Sequence, residues 1–269
     1  MLNSDAFSGA LLRASPLTIT RRVIGALVLR ELLTRYGRNN IGFLWLFVEP
    51  MLFTLVITAF WAATRTIHGS DIPIVAFALT GYSSLIMWRN MGNRCIDALR
   101  SNLPLLYHRQ VRVIDVYLSR LTLEFMAAST SFVTLALALY AMQWIPAPEN
   151  ALQVAGGWFL LAWFGAGLGL ILGGLSEKSQ VVGKLWPPFS YLLMPLSGVA
   201  FIADALPPKL QQIVLWLPML NALEYLREGW FGSAMHAHYD IPYVVVFNLV
   251  MMLVGLSLVR QVGINTGEE

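Results

Sequence analysis

The residues of this chain whose types and spacing could do chemistry are few, and most stand inside or beside long apolar runs. Glu49 is followed by Pro50 within such a run. A carboxylate there is costly unless it faces protein or water, and Pro50 removes a backbone hydrogen bond and favours a kink. Glu49 reads either as a pore-facing or hinge residue, or as a group at interface depth paired with the basic stretch before it. Arg120 and Glu124 stand one helical turn apart and are expected to neutralise one another. Arg89 closes another apolar run. It either snorkels toward water or meets an anionic substrate at an entrance. His236 and His238 have the spacing of two ligands on a strand, but no third ligand accompanies them, so they read as bystanders. Gly183-Lys184 lacks the earlier glycine and the following Ser/Thr of a phosphate loop, so ATP hydrolysis by that route is not expected. The single cysteine, Cys95, excludes an internal disulfide framework. No acid, base and nucleophile converge, which argues against an intramembrane acyl or glycosyl transferase.

The elements that must hold these residues follow from composition. Of 269 residues, 57% are hydrophobic and only 12% charged, and the mean hydropathy is +0.63. A soluble domain carries about 25% charged residues. Lipid is the solvent that this chain suits, and lipid admits only helices or closed barrels. The runs are too long and too continuously apolar for barrel strands. The expected fold is all-α: one polytopic transmembrane domain over residues 1–269 with six spanning helices. The spans are placed at about 42–63, 72–91, 115–144, 151–175, 184–203 and 241–259. Residues 18–38 form an amphipathic interface helix, with Ala26, Leu29, Leu33 and Tyr36 on one face and Arg30, Thr34, Arg35 and Arg38 on the other. Residues 92–114 are a basic loop, and 176–183 a shorter polar one. Residues 204–240 hold short apolar runs bounded by prolines, which read as re-entrant or outer helices rather than spans. Of the 18 lysines and arginines, only Arg65, Lys209 and Arg227 fall on the outer side, leaving 15 on the inner side or at inner span ends. That asymmetry puts both termini in the cytoplasm. It also accounts for the net charge of +3 without a nucleic-acid partner.

Three further patterns stand out, two of them with two readings. The segment 97–103 of the basic loop, closed by Pro104, forms a short helix that either docks into a cytoplasmic partner or is a solvated basic loop. Gly165, Gly169 and Gly173 repeat every four residues in the fourth span and permit close helix contact. Aromatic residues recur in the first, second and fifth spans: Trp45, Phe53, Phe60, Tyr82, Trp88, Trp186, Phe189 and Tyr191. They serve as core and belt residues, or some of them line a pore in which sugar rings stack on aromatic planes.

Several blocks together resemble one family. Leu29-Arg30-Glu31-Leu32-Leu33-Thr34-Arg35-Tyr36-Gly37 is followed by Ile41-Gly42-Phe43-Leu44-Trp45 and then Glu49-Pro50. Val113-Ile114-Asp115, Lys184 with Pro187, and Trp216-Leu217-Pro218 followed by Glu224 and Arg227-Glu228 also fit. The combination resembles the membrane permease subunit of type-2 ABC exporters of capsular polysaccharide, related to the O-antigen exporters. The resemblance spans nearly the whole chain and is weakest over the first seventeen residues. It implies a homodimer in the bacterial inner membrane and a separate cytoplasmic ATPase dimer that carries the ATP and Mg. No cofactor is expected in this chain. The cargo would be a lipid-linked polysaccharide, handed on to periplasmic or outer-membrane export proteins. By the same resemblance, Asp97, Ala98, Leu99, Arg100, Ser101 and Asn102 become an ATPase-coupling helix, and residues 204–240 hold the periplasmic gate helices. Trp45, Glu49, Phe53, Tyr82, Trp88, Phe189 and Tyr191 are the pore candidates. Arg35, Arg38 and Arg89 are candidate contacts for the phosphate of the lipid anchor at the entrance. Export of a drug or a lipid by the same kind of permease is the alternative.

Overall fold

The computed structural model describes residues 16–36, 48, 51–52, 54–57, 59–60, 72–102 and 111–265. Among them all regular structure is helical, as expected. Eight α-helices are bounded: α1 (Pro16–Tyr36), α2 (Ile74–Cys95), α3 (Val113–Ala141), α4 (Ala151–Lys178), α5 (Gln180–Leu196), α6 (Pro208–Val214), α7 (Pro218–Phe231) and α8 (Ile241–Asn265). By length and composition, three of them can cross a membrane: α3, α4 and α8. Of the expected first span, residues 51–52, 54–57 and 59–60 are helical. Arg38, Trp45, Glu49 and Phe53, together with the side chain of Arg35, lie outside the described residues.

Local chemistry sets the helix ends. Asp115 sits in the first turn of α3, accepts from the Arg112 N–H at 3.1 Å and pairs with its guanidinium at 3.3 Å. A carboxylate there complements the helix dipole. After the prolines at 146 and 148, Asn150 caps α4 by accepting from the Gln153 N–H at 3.0 Å. The polar loop expected at 176–183 shrinks to one residue. Ser179 ends α4 and its hydroxyl caps α5, so that α5 starts four residues early and ends at Leu196 rather than near 203. The expected single run of residues 97–103 as a helix is also corrected. Asp97 adopts a left-handed φ of +54°, a conformation that Asp tolerates better than most residues. Of the described residues 97–102, only Arg100–Asn102 forms a 3-10 turn, and Leu103 lies outside the described residues.

Helix α4 is the hub, and its glycines bring four neighbours close. A Cβ on Gly165 would lie 2.9 Å from the Trp88 Cα of α2, and one on Gly157 2.8 Å from the Leu226 Cα of α7. On the α8 side, a Cβ on Gly174 would lie 2.8 Å from the Leu258 Cβ, and Gly255 of α8 faces Leu170 in the same way. The repeat Gly165, Gly169, Gly173 is thus a packing stripe against α2 and α3. Backbone contact this close maximises dispersion where lipid offers no hydrophobic driving force between helices. Helix α1 lies along α3, with Leu27, Val28 and Leu32 inward and Val28 and Leu32 against Leu123 and Ala127. Its expected apolar face is left outward: Leu29 and Leu33 are 58% and 61% exposed.

Candidate transport surfaces

The bundle has a basic end, where α2 stops and α3 starts, and an opposite end at the start of α2. At the basic end the turn after α2 is clamped from two sides. Ala98, Leu99 and Asn102 are buried, whereas Asp97, Arg100 and Ser101 are exposed. The Arg30 guanidinium of α1 donates to Asn102 Oδ1 at 2.8 Å, and Asn102 Nδ2 donates to the Ala98 carbonyl at 2.9 Å. From the α4 side, Ser176 Oγ accepts from the Asp97 N–H at 3.4 Å, and Glu177 lies 3.8 Å from the Arg100 guanidinium. Arg100 is also 3.7 Å from Asp97. Of the six residues expected here, three are anchors and three are presented to whatever binds this face.

Arg120 and Glu124 reach across elements rather than serving only one another. Arg120 lies 3.4 Å from Glu31 of α1 and donates to the Arg94 carbonyl at 2.7 Å, while Arg94 lies 3.5 Å from Glu124. The four side chains tie α1, α2 and α3 together. Sequence spacing revealed only the intrahelical pair; the Glu31 and Arg94 partners are tertiary.

The aromatic candidates separate into two groups. Phe189 and Tyr191 of α5 are 52% and 60% exposed. Arg89 of α2 stands 4.0 Å over the Tyr191 ring, and its Nε donates to Ser190 Oγ at 3.2 Å. Tyr82 is half-buried on the same helix and within electrostatic reach of Arg89 and Tyr191. This assembles Arg89, Ser190 and Tyr191 into one cation–aromatic group, with Ser190 unforeseen because a serine among prolines carries no signal of its own. Trp88 does not join them. It is 1% exposed and packs edge-on against Phe164 of α4, since the glycine stripe of α4 leaves room for its ring. In this structure it is a core residue and lines no open surface.

At the opposite end, Glu224 and Arg227 stand one turn apart on α7 and are both 0% exposed. Glu224 accepts from the backbone N–H of Ala203 at 3.2 Å and of His238 at 3.3 Å. Arg227 donates to the carbonyls of Gly198, Val199, Phe201 and Phe77, at 2.6, 3.0, 3.1 and 3.4 Å, and lies 3.6 Å over the Phe77 ring. A Cβ on Gly81 would collide with this guanidinium. Burial pushes the Glu224 carboxyl up, opposed by Arg227 and the two N–H donors. Burial lowers Arg227, opposed by Glu224. The pair therefore gathers the segments after α5 and after α7 onto the start of α2. The sequence marked these residues without showing what they hold.

Among the described residues, an all-helical body with three membrane-length helices, a clamped basic turn and a short-helix cap has the makings of a helical membrane protein. Residues 22–231 match the family described as ABC-2 type transporter, and the chain belongs to that family. It is 45% identical over 245 residues to the capsule polysaccharide export inner-membrane protein CtrC of Neisseria meningitidis serogroup B, covering 91% of this chain and 92% of that one. It is 43% identical over 245 residues to the capsule polysaccharide export inner-membrane protein BexB of Haemophilus influenzae, with the same coverage. The polysialic acid transport protein KpsM of Escherichia coli is 28% identical over 249 residues, covering 90% of this chain and 94% of that one.

Proposed function

We propose that this chain is the channel-forming permease subunit of an ATP-driven exporter that moves lipid-linked capsular polysaccharide across the bacterial inner membrane. It works as a homodimer of six-span subunits with both termini in the cytoplasm, driven by a separate ATPase dimer that binds ATP and Mg. The observation that carries the mechanism is the clamped turn at the basic end. Asp97, Arg100 and Ser101 face outward, while Asn102 is tied to α1 and Arg100 to α4. A push on this turn from the ATPase moves α1 and the α4–α5 joint together. The first and fifth spans then part. Arg89, with Arg35 and Arg38, draws in the anchor phosphate. The exposed rings of α5 let successive sugar units slide, because stacking on an aromatic face needs no fixed register. The relatives named for capsule polysaccharide export, similar over nearly the whole chain, support the cargo class.

Replacing Asp97 and Arg100 by alanine tests the coupling. Membrane insertion persists, because both side chains are exposed, while surface polymer and substrate-stimulated ATP hydrolysis in the assembled complex fall together. Unchanged export removes the turn from the mechanism. Alanine at Phe189 and Tyr191 separates polymer export, which falls, from small-molecule efflux, which does not.

A further inference from the structure

We infer that the cleft between α6, α7 and α8, at the end of the bundle away from the basic turn, is a carbohydrate subsite that takes an uncharged, hydroxyl-rich sugar ring. The inference rests on the exporter reading and adds where, and by what chemistry, the emerging chain is held. The cleft has a volume of about 510 Å³ and is lined by Gln212, Trp216, Tyr239, Asp240 and Tyr243, among others. That is within the range of about 300–1,000 Å³ usual for small-molecule sites.

Its walls form an aromatic corner. Trp216, 75% exposed, meets Tyr243 at 84° with ring centroids 6.5 Å apart. Hydrogen bonds fix the corner, and Trp216 keeps most of its ring surface open. The Tyr243 hydroxyl donates to the Trp216 carbonyl at 2.6 Å, and Asp240 Oδ1 accepts from the Tyr243 N–H at 3.0 Å. Asn221, beneath, accepts from the Asp240 N–H at 2.9 Å and donates to the carbonyls of Leu215 and Leu217 at 2.7 and 3.0 Å. What remains for a ligand is the Trp216 face, its indole N–H, the Gln212 amide and the second oxygen of Asp240. A flat C–H face against an aromatic plane, with planar carboxylate and amide groups at its hydroxyl rim, suits a pyranose. Neither Lys nor Arg lines the cleft, and His238, which does, is already engaged by Asp204 at 2.8 Å, so an acidic sugar would meet the Asp240 carboxylate without a cation turned toward it.

The test is saturation-transfer NMR on the purified full chain in detergent, with maltohexaose as the neutral probe and a hexamer of sialic acid as the acidic one. Transfer to maltohexaose ring protons is expected. Trp216→Ala weakens binding by roughly tenfold, Trp216→Phe restores most of it, and an unchanged thermal midpoint excludes misfolding. Asp240→Asn, which keeps the α8 cap, weakens it by less. Asp97→Ala leaves it unchanged. Equal binding by the Trp216→Ala chain, preference for the sialic acid hexamer, or no transfer to either probe overturns the subsite. Saccharide binding at the cleft in a chain whose deletion leaves surface polymer intact overturns the exporter reading and leaves the subsite standing.

Discussion

At the end of the bundle near Phe77, Glu224 and Arg227 are fully buried and act on backbone groups: two N–H donors for the carboxylate and four carbonyls for the guanidinium. At the basic end, Glu31, Arg120, Arg94 and Glu124 act chiefly on one another, with Arg94 41% exposed. Charge that holds backbone groups fixes where loops lie. Charge spent on other side chains can be exchanged as helices slide. The first arrangement suits a static cap, and the second would suit the moving joint proposed above.

Removing the cap's cation should break the comparison most severely. Arg227→Met leaves Glu224 without its countercharge and takes the guanidinium donor from four carbonyls, of which Phe77's keeps the Thr80 hydroxyl at 3.1 Å, and should cost about 3–5 kcal/mol in denaturant unfolding of the detergent-solubilised chain. Arg227→Lys should recover little, because an ammonium cannot fork toward so many carbonyls. Glu224→Gln should cost about 1–3 kcal/mol, since one amide oxygen replaces two acceptors. It should also change a pH slope. Burial raises the folded pKa of Glu224 above its unfolded value, so its contribution to stability is greatest below the unfolded value and falls as pH rises through the folded one. The wild-type midpoint should decline across that window upward from about 4.5, the usual carboxyl value, and the decline should flatten in Glu224→Gln. At the basic end, Glu31→Arg and Arg120→Glu should each destabilise by about 1 kcal/mol, and the double reversal should recover part of the loss in a double-mutant cycle. Full additivity there would mean that the joint is no joint. The smallest effect belongs to Gly25, where an added Cβ meets nothing within 4 Å. Gly25→Ala should stabilise α1 by about 0.5 kcal/mol in the same unfolding measurement.

Hydropathy runs and their breakers made the helical class and most element positions readable, because lipid imposes one secondary structure and prolines and polar clusters end it. The third, fourth and sixth runs became α3, α4 and α8 within a few residues at most ends. The α4–α5 boundary was misplaced because Ser176, Glu177 and Lys178 look like loop residues, yet continue α4 by serving the basic end. Glu177 meets Arg100, and Ser176 meets the Asp97 N–H. The turn at Asp97 was read as helix because a positive φ at an aspartate leaves no trace in periodicity. At the candidate site, Arg89 and Tyr191 were found by type alone. Ser190 and the burial of Trp88 were hidden, because both depend on which helix the glycine stripe admits.

Helix α5 is joined to α4 through Ser179 alone and contains Pro187, Pro188 and Pro195. Each proline withholds an amide from the internal ladder, and of the side chains only Trp186 and Ser190 are buried. A helix tied so lightly is a compliant reed, not a rigid gauge. In the channel role proposed above, it would yield to a bulky or branched repeat unit at little energetic cost and recover once that unit had gone by, so the width of the cargo would not need to be uniform along its length.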